Sequence, residues 1–191
     1  MRLLGSIAPD RPLLVVAVRE EAAHLDDRLP VLLTGIGKVN AAAALATVLA
    51  RGEKPSEVIN LGTAGALRPG WEGTHHVTQV IQHDLDSPAL LALTGRTYGP
   101  PLVVGKGEGP ILATGDLFVS DPGARDRLAE HADLVDMEGY AVATVAHRAG
   151  LPVRLVKHVS DEAGEGAARS WRESVDDCAR HLAQWVAAQG W

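Results

Sequence analysis

Short apolar runs alternate along the chain with longer segments in which apolar residues recur at spacings of three and four. The runs are "PLLVVAV" (12–18), "PVLLTG" (30–35), "EVINLG" (57–62), "THHVTQVI" (74–81), "PILATG" (110–115), "ADLVDM" (132–137) and "PVRLVKHVS" (152–160). They have strand length, and the continuous apolar character of most of them suits strands buried on both faces. Between them, "KVNAAAALATVLARG" closes on Gly52, "DPGARDRLAEHA" opens on an Asp cap with proline after it, and "GYAVATVAHRAG" closes on Gly150. These read as helices, as does the final "WRESVDDCARHLAQWVAAQ" with its amphipathic spacing. Residues 84–110 are rich in Gly, Pro and Leu without a period and are expected to form a long loop or flap. The alternation predicts an α/β fold: one domain over residues 1–191, with a mixed, mostly parallel sheet flanked by helices.

Composition narrows the partners. A chain of 191 residues with 46% hydrophobic content can bury one sizeable core and hardly two. A formal charge of −6 with no run of Lys or Arg leaves nothing to neutralise a phosphate backbone, so no nucleic-acid partner is expected. The N-terminal stretch lacks a signal peptide's sustained apolar core and cleavage site, and no segment reaches the roughly 18 apolar residues of a membrane span. A soluble cytoplasmic protein, with no membrane partner, is the expectation.

Several chemistries find no support. The single cysteine, Cys178, excludes an intrachain disulfide and a cysteine metal site, and in a C-terminal helix it reads as a small buried hydrophobe. His75 and His76 adjoin within a strand and face opposite sides, while His83 and Asp84 begin a loop, so no metal site is expected. "GIGKVN" places Asn40 where a dinucleotide fingerprint has its third glycine, no Walker lysine follows, and no cofactor is expected. There is no G-x-S-x-G elbow for Ser-His-Asp chemistry.

In open α/β sheets ligands gather at the carboxyl ends of strands, so those ends are best read together. They are polar: Arg19, Glu20 and Glu21; Thr34 to Gly37; Asn60 to Gly65; Gly115 to Phe118; Asp136, Met137 and Glu138; and Lys157, His158, Ser160, Asp161 and Glu162. Three separate ends offer an acid, namely Glu21, Glu138 and Asp161. Any one alone could merely cap a following helix, an arrangement favoured by about 0.3 to 1 kcal/mol. The glycines of "TGIGKVN", "NLGTAG" and "ATGD" allow backbone amides to approach a ligand closely.

Taken in order, "AVREEAAHL", "TGIGKVNAAAA", "VINLGTAGAL", "HDLD", "ATGDLFVSD", "VDMEGYAVA" and "VKHVSDEA" resemble the purine nucleoside phosphorylase and nucleosidase superfamily, and particularly its methylthioadenosine/S-adenosylhomocysteine nucleosidases. The resemblance spans most of the chain. It implies a nucleoside phosphorylase-like fold, often a distorted barrel, and a small-molecule purine nucleoside as partner. It further implies that Met137 and Glu138 hold the ribose and that Asp161 protonates the leaving purine at N7. That step needs a carboxyl group whose pKa is raised by burial or by neighbouring acids, of which Glu138 could be one. Glu21 would activate the attacking water with help from Thr34. Phe118 would stack on the base, Val119 read its edge through the backbone, and Trp171 sit near the 5′ substituent. Gly35, Thr63, Ser160 and Lys157 complete the implied substrate-binding set, Lys157 replacing the family's arginine near the ribose.

Phosphorolysis is the competing reaction, and it needs cations to hold phosphate. The superfamily's phosphorylases commonly carry an arginine where this chain has Asn60, which favours hydrolysis; Arg19 and Lys157 keep the alternative open. A futalosine hydrolase or a non-catalytic nucleoside-binding protein are further alternatives. Segments 22–34 and 84–110 are shorter than the family's, so the substrate is poorly transferred. The resemblance also implies a homodimer or larger homo-oligomer.

Overall fold

The computed structural model describes residues 1–191. In chain order the elements are β1 (Arg2–Leu4), β2 (Leu13–Val16), β3 (Val31–Leu33), α1 (Lys38–Leu49), β4 (Val58–Ala66), β5 (Thr74–His76), β6 (Gln79–Gln82), α2 (Ser87–Thr94), β7 (Leu102–Val103), β8 (Ile111–Thr114), α3 (Pro122–Ala129), β9 (Leu134–Asp136), α4 (Gly139–Arg148), β10 (Val153–Asp161) and α5 (Ala167–Ala188).

The sheet turns on β4, which pairs in parallel with β2 and β10 and, at its far end, antiparallel with β9. From β9 the pairing runs through β8 to β6. The chain then passes through Val77 and Thr78 to β5, which pairs with β10. The ring β4–β9–β8–β6/β5–β10–β4 therefore closes, and the expected distorted barrel is present. Strands β2, β3 and β1 extend it on one side, and β7 lies at the other edge beside β6.

Side chains explain why these strands read as unbroken apolar runs. Leu13 and Val15 of β2, Val58, Ala64 and Ala66 of β4, and Val153 and Leu155 of β10 face the larger core, which also buries α1 and α4. Their neighbours Leu14, Val16, Ile59, Leu61 and Val156 face a second core, which Leu182 and Val186 of α5 close. Both faces are covered, so alternation has no polar phase. Cys178 is buried in α5, in the role expected of it.

The structure departs from the sequence reading in three places. Residues 84–110 contain α2, capped by Asp86 accepting from the Ala89 amide and ended by Gly95 in the left-handed region. No residue of α2 is buried, so it carries no apolar period to detect. The run at 74–81 is two strands, because Thr78 leaves β10 to bond the backbone of Pro110. The exposed edge strand β1 was not anticipated. No helix is long and apolar enough to cross a membrane.

Candidate active site

A cavity of about 270 Å³ opens where the ends of β4, β9 and β10 meet the first turns of α5. Four carboxylates border it: Glu21, Asp136, Glu138 and Asp161.

Glu21 follows β2 on a turn rather than a helix, so it caps nothing. One of its oxygens, Oε1, accepts from both the amide of Thr63 at 2.7 Å and its hydroxyl at 2.8 Å. The Thr63 hydroxyl in turn accepts from the indole N–H of Trp171 at 2.9 Å. The second oxygen of Glu21 is buried and has no protein partner. Gly62 makes the approach possible, since a Cβ there would meet Glu21 Oε1 at 3.1 Å.

Asp136 and Lys157 form an ion pair beneath the cavity, 2.8 Å apart and each 1% exposed. Asp136 also accepts from the Thr114 hydroxyl and from the amide of Gly139 in the first turn of α4. Glu138 sits at the N-cap position of α4 without capping it; its carboxylate instead accepts from the amide of Gly37, at the start of α1, at 2.8 Å. The glycine turn of "TGIGKVN" thus spends an amide on a carboxylate of its own chain. Burial, reinforced by the charge of Asp136, pushes the Glu138 pKa up to about 8. For Lys157 burial pulls the other way, but the acids Asp136, Glu138 and Glu21 overcome it, hold the pKa above its ordinary value and keep the ammonium charged.

Asp161 ends β10 at a bulge: Val159 pairs with Ala64 and Asp161 with Gly65, leaving Ser160 as the extra residue. Consecutive residues of a regular strand face opposite ways, yet Ser160 and Asp161 both line the cavity, which is what a bulge permits. The Ser160 hydroxyl and the Ala163 amide donate to the two Asp161 oxygens, each at 2.8 Å. Ala163 holds its place with φ at 47°, an uncommon conformation beside the acid. At Gly65 a Cβ would meet Asp161 Oδ1 at 3.0 Å. Burial raises the Asp161 pKa, against the opposing effect of those two donors.

The remaining wall is apolar except for Arg172. Phe118 and Val119 border the cavity from the loop after β8, and Met137 from the turn before α4. Trp171 enters from α5, alongside Ala168 and Arg172 one turn apart on the same helix face. Of the residues named from sequence, the structure gathers Glu21, Thr63, Phe118, Val119, Met137, Glu138, Ser160, Asp161 and Trp171 around one cavity.

Three do not reach it. Thr34 is buried and its hydroxyl donates to the Gly35 carbonyl at 2.7 Å, so its one hydrogen is already engaged. Gly35 is turned away, its amide bonded to the Ala17 carbonyl. Lys157 is sealed beneath the cavity on Asp136, so it acts on the acids and not on a ligand. Two charged residues that border the cavity lie outside the set implied by sequence: Asp136, visible as the first acid of "DMEG", and Arg172, for which adjacency to Trp171 is the only signal.

A closed mixed barrel with a carboxylate-lined cavity at its strand ends defines a class, and the chain belongs to it: the model of the phosphorylase superfamily matches residues 23–188. Within that superfamily it is 33% identical to the 5′-methylthioadenosine/S-adenosylhomocysteine nucleosidase of Bacillus cereus strain B4264, over 81% of this chain and 77% of that protein. The nucleosidase of the same name from Streptococcus pneumoniae, solved with a transition-state inhibitor, superposes with a TM-score of 0.78 at 25% identity, covering 91% of this chain and 95% of that one. Futalosine hydrolase of Helicobacter pylori shares the fold, with a TM-score of 0.80 at 20% identity over 93% of this chain and 96% of that one.

Proposed function

We propose that the protein hydrolyses the N-glycosidic bond of a purine nucleoside of the methylthioadenosine/S-adenosylhomocysteine type, releasing free base and free sugar. The observation that carries this reading is the pairing, across one cavity, of a carboxylate oxygen with no partner, on Glu21, and an acid whose pKa is raised, Asp161.

In this mechanism Asp161 gives its proton to N7 of the purine as the bond from the sugar C1′ to N9 breaks, so the electron pair leaves on a neutral base. Ser160 steadies the acid, Phe118 stacks on the purine, and the backbone of Val119 reads its edge. Met137 and Glu138 hold the ribose; a carboxyl group raised to about 8 can accept from one sugar hydroxyl and donate to another. Positive charge growing on the sugar meets the carboxylate of Glu21, with that of Asp136 deeper in the wall. Water lodged against the free oxygen of Glu21 forms the new bond to C1′ and passes its proton to that carboxylate.

The same charges argue against phosphorolysis, because a phosphate dianion would enter a cavity bordered by the carboxylates of Glu21 and Asp136. Asn60 is buried and bonded to the Val15 carbonyl, and Lys157 is held by Asp136. Arg172 is the one cation on the cavity wall. It lies at the exposed rim with its Nε on the Ala168 carbonyl and no carboxylate partner, whereas Arg169 and Arg180 of the same helix are paired with Glu173 and Asp176. That placement suits a substrate whose 5′ arm carries a carboxylate, such as S-adenosylhomocysteine. Exposed apolar side chains at and beside the cavity, Ile36, Val39 and Leu117, support self-association as a homodimer, and we place the protein in the cytoplasm.

The test is chromatography after incubation with methylthioadenosine, S-adenosylhomocysteine, futalosine, adenosine and inosine. Free base from an adenosyl thioether is expected; base from futalosine alone would reassign the substrate, and base from none would favour a binding protein.

A further inference from the structure

We infer that Trp171 is a positioning residue for hydrolysis: its indole N–H fixes the direction of the Thr63 hydroxyl and so decides which oxygen of Glu21 is left for water. The inference rests on the nucleosidase reading, in which Glu21 receives the proton of the attacking water.

An indole nitrogen can only donate, so the 2.9 Å contact from Trp171 Nε1 makes the Thr63 oxygen the acceptor. A hydroxyl owns a single hydrogen. With its oxygen already engaged by Trp171, Thr63 aims that hydrogen at Glu21 Oε1, 2.8 Å away, where the Thr63 amide also arrives at 2.7 Å. Oε1 is thereby doubly occupied. Oε2 is buried with no protein donor, and a buried carboxylate oxygen in that state is costly unless a mobile donor fills the gap. Water in the adjoining cavity is such a donor, and it is the reactant.

Phenylalanine at position 171 would fill the same wall and leave the Thr63 hydroxyl free to rotate. Tryptophan adds the donor. Because Trp171 stands on the first turns of α5, which packs along β10 and β4, the helix ties the base to the sheet. Both Thr63 and Trp171 also border the cavity, so their ring and methyl contacts with substrate are separable from the hydrogen-bond chain.

The experiment is a double-mutant cycle on the full chain with Trp171→Phe, Thr63→Val and the pair, using the nucleoside that the wild type cleaves fastest. Thermal melts by circular dichroism establish that each variant is folded. Trp171→Phe should lower kcat about three- to tenfold, the worth of one hydrogen bond between neutral groups, and leave KM within about threefold because the ring remains. Thr63→Val should lower kcat at least as much, and the double variant no further than Thr63→Val alone. The Trp171 indole N–H resonance, identified by its loss in Trp171→Phe, should move upfield in Thr63→Val as its acceptor disappears. A wild-type kcat in Trp171→Phe, or losses that multiply in the double variant, would overturn the inference.

Glu21→Gln in the same assay separates the two readings. If the wild type releases base and Glu21→Gln does not, hydrolysis through Glu21 stands whatever Trp171→Phe does. If the wild type releases base from no nucleoside, the nucleosidase reading fails and this inference fails with it.

Discussion

Lys157 and Asp136 meet at 2.8 Å beneath the cavity, both all but sealed from water. The lysine is the buried counter-ion for three acids, Asp136, Glu138 and Glu21, and its loss would leave them facing one another in a low-dielectric floor. Lys157→Met should therefore cost about 3–5 kcal/mol in urea unfolding, the usual consequence of removing one partner of a buried pair. Adding Asp136→Asn should restore part of that loss. A Lys157→Met variant as stable as the wild type would show that the acids manage without it.

The raised pKa of Glu138 makes stability depend on pH, and the sign follows from the direction of the shift. The folded state binds this proton more tightly than the unfolded chain, so the stabilisation is complete below the ordinary value of 4.5 and is lost as pH rises toward about 8. Over that window the loss attributable to Glu138 is on the order of a few kcal/mol. Glu138→Gln removes the titration. It should flatten the dependence of melting temperature on pH and exceed the wild type in stability at pH near 8. Parallel pH–stability curves for the two proteins would contradict the assignment.

Arg172 gives a prediction about selectivity rather than rate. Arg172→Ala should raise KM for S-adenosylhomocysteine roughly tenfold, the worth of a charge-assisted hydrogen bond, and leave methylthioadenosine, whose 5′ arm is uncharged, nearly unchanged. Steady-state kinetics on the two substrates provides the check. Equal losses on both would place Arg172 in general support of the wall.

Much of this site could be read in the sequence because its chemistry is contiguous. "DMEG", "SDEA" and "NLGTAG" each keep an acid, a hydroxyl or a glycine at a strand end, where the barrel brings them together. What could not be read was which way each side chain points. Lys157 and Asp161 lie on one strand, yet a bulge at Ser160 separates a lysine under the floor from an acid on the wall. Thr34 has the right residue type at a strand end and spends its hydrogen on its neighbour's carbonyl. Closure of the barrel hides in the backbone of Val77 and Thr78, and α2 hides because none of its side chains is buried. The partnership of Trp171 and Thr63, 108 positions apart, is a tertiary fact with no local signature.

The central claim is that water, not phosphate, takes the sugar after Asp161 protonates the base. It is tested most directly by incubating the wild type and Asp161→Asn with S-adenosylhomocysteine, with and without phosphate, and identifying the sugar product. The account predicts adenine and free S-ribosylhomocysteine at the same rate in both conditions, a rate that declines in alkali as Asp161 loses its proton and is at least about a hundredfold slower in Asp161→Asn. A sugar 1-phosphate formed only when phosphate is present, or an Asp161→Asn variant with wild-type turnover, would contradict it.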